Sequence, residues 1–153
     1  MIVPAEGEFR LNQESDTRRL GAAIARELKR REAVCLSGPL GAGKSTLARG
    51  LIQALTGEPT EVPSPTFTLV QTYETPGLIA AHFDLYRLVG PDEVAELGLD
   101  DALDVGAAVI EWPEKLGHHL PSHRLDVELR IQGDARRARL SPHGAWEDRP
   151  IEF

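Results

Sequence analysis

The chain has 153 residues, with 17 Lys and Arg against 24 Asp and Glu, for a formal net charge of −7. This length predicts one domain, residues 1–153, with a single core, and the acidic balance disfavours a protein that binds nucleic acid alone. No apolar stretch approaches the roughly 20 residues that cross a membrane, and the N-terminus is unlike a secretory signal. A lone cysteine, Cys35, excludes an internal disulfide. We expect a cytoplasmic protein.

The first predicted elements are a strand, a helix and a second strand. Residues 8–11 alternate in polarity, which predicts an edge strand. Ser15 or Asp16 can cap the next helix, since both side chains accept hydrogen bonds from free backbone N–H groups. Its apolar face contains Leu20, Ile24 and Leu28. We expect this helix to end in the basic run 29–31, and the apolar run 33–36 to form a short buried strand.

Residues 38–45, Gly-Pro-Leu-Gly-Ala-Gly-Lys-Ser, match the G-x-x-x-x-G-K-[ST] pattern of a phosphate-binding loop, or P-loop. A helical periodicity follows at Leu47, Leu51 and Leu55, so the order is strand, glycine-rich turn, helix. Gly41 and Gly43 allow a tight turn whose N–H groups approach phosphate oxygens. Lys44 would contact the β- and γ-phosphates, and the Ser45 hydroxyl would bind Mg²⁺. The chain is therefore predicted to bind a nucleoside triphosphate.

Strands dominate the predicted second half of the chain, where alternating polarity indicates strands and Gly or Pro indicates turns. In chain order the predictions are a loop at 57–65, strands at 67–74 and 78–86 joined at Pro76-Gly77, a short helix at 91–97, a strand at 107–111, one helical turn at 113–116, and a ribbon of strands at 125–131 and 137–140. Arg136, Arg137 and Arg139 form either a basic patch or an exposed strand edge. Residues 144–153 carry no motif.

Three later segments carry residue types suited to triphosphate chemistry. Thr66, in a loop before a strand, could bond a γ-phosphate or Mg²⁺ as threonines of switch loops do. Asp84 lies near the C-terminal end of one predicted strand and Glu111 ends another, positions where a carboxylate can hold Mg²⁺ or position water. The local pattern does not rank these two carboxylates. Trp112 could stack on a ligand or fill a gap in the core.

Adenine is the favoured base. A guanine-reading Asn-Lys-x-Asp motif cannot occur, because Asn12 is the sole asparagine of the chain. The expected ligands are therefore ATP and ADP, with Mg²⁺.

Four segments together resemble one known family. They are residues 38–46, Ser64-Pro-Thr-Phe-Thr-Leu-Val70, His82-Phe-Asp-Leu-Tyr-Arg87 and Glu111-Trp112-Pro113. In this order and spacing they resemble the TsaE (YjeE) family, small bacterial ATPases of the tRNA threonylcarbamoyladenosine pathway, over about residues 15–140. The resemblance implies an α/β fold, a P-loop NTPase-like three-layer sandwich whose central mixed sheet has antiparallel additions. It also implies slow MgATP hydrolysis by the chain alone.

The resemblance further implies partners and residue roles. TsaD and TsaB would be the partners, which transfer threonylcarbamoyl to N6 of an adenosine in tRNAs reading ANN codons, so that tRNA is met through the complex. The implied catalytic residues are Lys44, Asp84, Glu111 and Thr66. The implied metal ligands are Ser45, Glu111 and Asp84. The implied nucleotide contacts are Gly38, Gly41, Ala42, Gly43, Lys44, Ser45, Thr46 and Trp112, and more loosely Thr17 and Arg137.

Within these roles, Asp84 would position water, and Thr66 would report the γ-phosphate to a partner. Many relatives have Thr where this chain has Ser45, and either hydroxyl can bind Mg²⁺. Two alternatives stay open at this point. The chain could be a small-molecule kinase, with residues 136–139 as the lid over the phosphates, or a binding module gated by nucleotide.

Overall fold

The structure, a computed structural model, describes residues 2–4, 6–65 and 68–153. Its strands are β1 (Ile2–Pro4), β2 (Gly7–Leu11), β3 (Ala33–Ser37), β4 (Val70–Thr75), β5 (Leu78–Asp84), β6 (Ala107–Glu111), β7 (Arg124–Gln132), β8 (Ala135–His143) and β9 (Pro150–Glu152). Its α-helices are α1 (Glu14–Ala25), α2 (Lys44–Thr56), α3 (Val94–Leu97) and α4 (Leu99–Val105). Short 3₁₀ segments occupy Pro91–Glu93, Pro113–His119 and Gly144–Trp146.

Seven of the strands form one mixed sheet in the order β2-β8-β7-β3-β6-β5-β4. The four central strands β7, β3, β6 and β5 are parallel. β4 adds antiparallel at one side, and β8 and β2 add antiparallel at the other. β1 and β9 pair in a separate two-stranded ribbon. The expected central mixed sheet with antiparallel additions is confirmed, as is the edge position of β2.

Helices cover both faces of the sheet. Because successive side chains of a strand point to opposite faces, Val34 and Leu36 of β3 join the core beneath α1 and α2. Cys35, between them, joins a second core that includes Val94 of α3 and Leu99 of α4. These layers confirm the three-layer sandwich. None of the helices in the described part of the chain is long and apolar enough to cross a membrane.

Helix α1 begins and ends earlier than expected. Its N-cap is Gln13, so the prediction that Ser15 or Asp16 caps it was wrong. Asp16 instead lies in the first turn, where its carboxylate accepts from the Gln13 N–H at 3.1 Å. The helix ends at Ala25, because in the following turn the N–H groups of Glu27 and Leu28 donate to carbonyl oxygens three positions earlier, as in a 3₁₀-helix. The basic run 29–31 therefore lies in the turn before β3.

The predicted strands 67–74 and 78–86 correspond to β4 and β5, although Phe67 falls outside the described residues. β5 stops at Asp84 because the Tyr86 N–H turns back and donates to the Asp84 carboxylate at 3.1 Å. The strand 107–111 has the predicted bounds, and the ribbon strands β7 and β8 are longer than predicted. Helix α4 was not predicted.

The C-terminal residues 144–153, to which the sequence assigned nothing, close the core. Trp146 is fully buried, and β9 pairs with β1. The Arg149 guanidinium donates to both carboxylate oxygens of Glu32, at 2.7 and 2.8 Å. It also lies 4.5 Å from the centroid of the Trp146 ring. The tail is thus fastened to the turn before β3 by a bidentate ion pair that is largely shielded from water.

Arg149→Met is expected to lower the free energy of unfolding by about 3 kcal/mol, because it leaves the Glu32 carboxylate without its partner at 6% side-chain exposure. Urea denaturation measures this loss. Arg130→Met is the matched control, since its pair with Glu128 is exposed (60% and 44%) and is worth about 0.5 kcal/mol. Equal losses in the two variants would show that the buried pair does not fasten the tail.

Candidate nucleotide-binding site

A glycine-rich turn joins the end of β3 to the start of α2. A Cβ on Gly38, which has a φ of 136°, would lie 2.3 Å from the carbonyl oxygen of Leu129, so a larger residue does not fit there. Gly43 is the N-cap of α2 with a φ of 107°, a conformation that glycine adopts readily. Because the first N–H groups of a helix have no partner within it, the N-terminus of α2 presents donors at the turn.

Lys44, the first residue of α2, lies across this turn. Its side chain is buried, and the ammonium donates to the carbonyl oxygens of Gly38 and Pro39, the second at 3.0 Å. The ammonium also lies 4.0 Å from the centroid of the Trp112 ring. Burial lowers the pKa of Lys44 below its ordinary value, and nearby carboxylates oppose this shift: Glu111, Glu114 and Asp84. The positive charge is therefore held directly over the glycine-rich turn.

Glu111, the last residue of β6, connects α2 to β5. Its Oε1 accepts a hydrogen bond from the Ser45 hydroxyl at 2.8 Å. Its Oε2 lies 2.6 Å from Nε2 of His82. The Glu111 side chain is only 2% exposed. A hydroxyl and a carboxylate are thus brought together at the start of α2.

Asp84 ends β5 and lies beside Glu111 in the register of the sheet. Its Oδ2 accepts from the Ser64 hydroxyl at 3.0 Å, and its Oδ1 accepts from the Tyr86 N–H. The structure therefore separates two carboxylates that the local pattern left unranked. Glu111 contacts the Ser45 hydroxyl, whereas Asp84 contacts the loop that leads to β4.

These side chains line one cleft of about 430 Å³ at the carboxyl end of the parallel strands, the edge where α/β sheets commonly bind ligands. The predicted site residues that line it are Gly41, Gly43, Lys44, Ser45, Thr46, Asp84, Glu111 and Trp112. Sequence reasoning missed Tyr86, whose ring centroid lies 5.0 Å from that of Trp112. Trp112 has a φ of 61°, which is uncommon for a bulky residue and turns its backbone at the end of β6.

Three other predicted residues take different positions. Ala42 is fully buried behind the turn, and Gly38 contributes its carbonyl oxygen to Lys44. Thr66 lies outside the described residues, so its role stays a prediction.

A second pocket of about 330 Å³ adjoins the cleft and shares Gly41, Gly43 and Thr46 with it. The predicted residue Thr17 lines this pocket, together with Arg136, whose guanidinium donates to the Gly41 carbonyl oxygen at 3.2 Å. Arg137, by contrast, forms an ion pair with Glu8 at 3.2 Å. Neighbouring residues of a strand face opposite sides, so Arg136 is the arginine of β8 that reaches the turn.

The basic cluster 136–139 lies in β8, between β2 and β7. The interpretation of this cluster as an exposed strand edge was therefore wrong, because β8 pairs on both sides.

The chemistry of the donors fits Mg²⁺. Within the described ranges, no group of three or more His, Cys, Asp or Glu side chains could hold a metal ion. The Ser45 and Glu111 oxygens are, however, 2.8 Å apart, and Mg²⁺ is usually bound by one or two carboxylates together with substrate phosphates. These two residues would hold the ion beside the phosphates of a nucleotide.

The sandwich and its glycine-rich turn between a central strand and α2 place the chain in the P-loop NTPase-like fold class. A family model described as "Threonylcarbamoyl adenosine biosynthesis protein TsaE" matches residues 11–139. The chain belongs to the TsaE family, which confirms the resemblance seen in the sequence.

Individual relatives agree with this family. The TsaE of Rickettsia bellii is 43% identical over 127 residues, covering 83% of this chain and 88% of the relative. That of Haemophilus influenzae is 43% identical over 108 residues, covering 70% and 68%. Both are named tRNA threonylcarbamoyladenosine biosynthesis proteins. The crystal structure of YdiB from Bacillus subtilis superposes with a TM-score of 0.73 at 26% identity, covering 94% of this chain and 88% of that one.

Proposed function

We propose that this chain is a MgATP-binding ATPase that supports threonylcarbamoyladenosine modification of tRNA. The observation that carries the proposal is the contact of the Ser45 hydroxyl with the Glu111 carboxylate, in the same cleft as the Lys44 ammonium. A cation, a carboxylate and a hydroxyl around a helix N-terminus are the groups that phosphoryl transfer to water requires. Family membership supports the pathway, because the relatives' names place them in threonylcarbamoyladenosine biosynthesis.

Five residues would act in the proposed hydrolysis of ATP. Lys44 and the N–H groups at the start of α2 would bind the β- and γ-phosphates and stabilise the charge that develops during transfer. Ser45 and Glu111 would hold Mg²⁺, which supplies further neutralisation of that charge. Asp84 would orient the attacking water, since its carboxylate is fixed by the Ser64 hydroxyl and the Tyr86 N–H. Thr66 would sense the γ-phosphate.

The rest of the nucleotide would extend from the cleft into the adjoining pocket lined by Thr17. Trp112 would pack beside the nucleotide, with Tyr86 supporting its ring. Arg136 suits a contact with the nucleotide better than Arg137, because its guanidinium already reaches Gly41 while that of Arg137 is paired with Glu8.

Partners are part of the proposal. Among the described residues that line the cleft there is no arginine, and arginine is the residue that often stabilises the transition state of phosphoryl transfer. We therefore expect slow turnover by the chain alone. The proposed source of stimulation is TsaD and TsaB in the cytoplasm, and the support for these partners is membership of the TsaE family. A kinase lid at residues 136–139 has no support, because this segment is an internal strand of the sheet.

Phosphate release from MgATP tests the partnership. The chain alone should release phosphate slowly, and a TsaB–TsaD pair with unmodified tRNA should raise the rate by about tenfold or more, as partner-supplied groups do in other P-loop enzymes. Repeated rounds of tRNA modification should also require MgATP. If the pair and tRNA leave the rate unchanged, the pathway role is contradicted, and a screen of small-molecule acceptors would test for kinase activity.

A further inference from the structure

His82 is a buried polar residue to which the proposed mechanism gives no part. It lies on β5 two positions before Asp84, so both side chains point to the same face of the sheet. The register of the sheet sets His82 beside Val109 and Asp84 beside Glu111. The imidazole therefore lies beneath the cleft, directly behind the two carboxylates at its floor.

The imidazole touches the one carboxylate that contacts Ser45. Nε2 of His82 lies 2.6 Å from Oε2 of Glu111, and the two side chains are 1% and 2% exposed. Glu111 thus has one oxygen on the Ser45 hydroxyl and the other on His82. A carboxylate held at both oxygens is fixed in its rotation, so Oε1 is directed to the start of α2.

The other ring nitrogen shows which way the hydrogen bond runs. Within the part of the chain that the structure describes, Nδ1 of His82 is buried without a hydrogen-bond partner. A buried N–H without an acceptor is rarer than a buried acceptor without a donor. Because an ionised carboxylate only accepts, we assign the proton of the ring to Nε2, which donates to Glu111, and Nδ1 is the bare acceptor.

We propose that His82 is a positioning residue for Mg²⁺: its Nε2–H holds the Glu111 carboxylate in the orientation that, together with Ser45, binds the ion. The inference rests on the proposed function, since it assumes that Glu111 is a metal ligand. Partners in the shell behind metal ligands fix ligand orientation, and their loss typically lowers metal affinity about 10- to 100-fold. His82 itself would not touch the nucleotide.

The test is the Mg²⁺ dependence of nucleotide binding, measured by calorimetry with a non-hydrolysable ATP analogue. In His82→Leu, the Mg²⁺ concentration that half-maximally tightens binding should rise about 10- to 100-fold, while affinity in EDTA stays unchanged. His82→Gln should restore most of the Mg²⁺ response, because its amide nitrogen reaches the position of Nε2. If the leucine variant does not fold, His82→Asn replaces it, since its amide reaches only as far as Nδ1.

Phe83→Leu is the matched control, because Phe83 is the buried neighbour on β5 that faces the other core. It should lower the melting temperature without moving the Mg²⁺ midpoint. Three results would each overturn the inference while leaving the metal role of Glu111 intact. They are an unchanged Mg²⁺ midpoint in His82→Leu, a Mg²⁺ response in His82→Gln no better than in His82→Leu, and an equal shift of the midpoint in Phe83→Leu. If Mg²⁺ does not tighten binding to the unmodified chain, the metal role of Glu111 fails and the inference falls with it.

Discussion

Lys44→Ala is expected to weaken ATP binding by this chain about 150-fold. The Lys44 ammonium is the buried cation at the glycine-rich turn, and the substitution would remove the charge-assisted bonds that we propose it makes to the β- and γ-phosphates. Hydrogen bonds to charged groups are worth about 3 kcal/mol at the upper end. Their loss corresponds to a roughly 150-fold larger dissociation constant for ATP. Calorimetric titration with MgATP measures the difference.

The lysine variant needs a control for overall charge and folding. Lys29→Ala removes the same charge from an exposed position in the turn after α1, so it should bind ATP as the unmodified chain does. Comparable affinity in the two alanine variants would contradict the assignment of Lys44. A melting temperature of Lys44→Ala close to that of the unmodified chain would show that the loss of binding is not a loss of fold.

Glu111→Ala is expected to reduce Mg²⁺-dependent turnover more than nucleotide binding. The carboxylate would hold Mg²⁺ with Ser45, and loss of one strong electrostatic contact to the transition state typically costs a factor of about 10² to 10³ in turnover. Phosphate release over a range of Mg²⁺ concentrations measures this. Affinity for ATP in EDTA should change little, because Lys44 and the turn remain intact.

Two companion variants sharpen the glutamate experiment. Glu58→Ala removes a carboxylate from an exposed position in the loop after α2, and its turnover should match that of the unmodified chain. Glu111→Gln keeps the volume and an acceptor oxygen for His82 while removing the charge, which separates metal binding from the cost of an unpaired buried imidazole. Full activity in Glu111→Ala would contradict its role as a metal ligand.

The glycine-rich turn could be predicted from the sequence because its signals are local. A buried strand, glycines at fixed spacing and an amphipathic helix follow one another within residues 33–56. The strand that ends in Glu111 was predicted with its observed bounds for the same reason, since an apolar run followed by an acid is visible without the fold.

Contacts between distant segments could not be predicted in this way. His82 and Glu111 are 29 positions apart, and they meet only because β5 and β6 pair in one particular register. Arg136 and Arg137 differ by one position, yet the phase of β8 decides which of them reaches the turn. An error of one residue in the phase of a strand moves every side chain to the opposite face of the sheet. Sequence patterns do not locate the ends of strands to within one residue.

The C-terminal tail illustrates a third limit. Its anchor is the pair of Arg149 with Glu32, which are 117 positions apart and belong to no recognisable motif. The sequence around an isolated arginine in a polar segment does not show whether the arginine pairs with a buried carboxylate or faces solvent.

We propose that this chain hydrolyses MgATP at the cleft between β5, β6 and α2. Phosphate release by the purified chain alone, compared with Lys44→Ala prepared in the same way, tests it most directly. We expect the chain to release phosphate slowly in a Mg²⁺-dependent reaction that stops in EDTA and is lost in Lys44→Ala. Release that is absent from the unmodified chain, or equal in the two proteins, would contradict it.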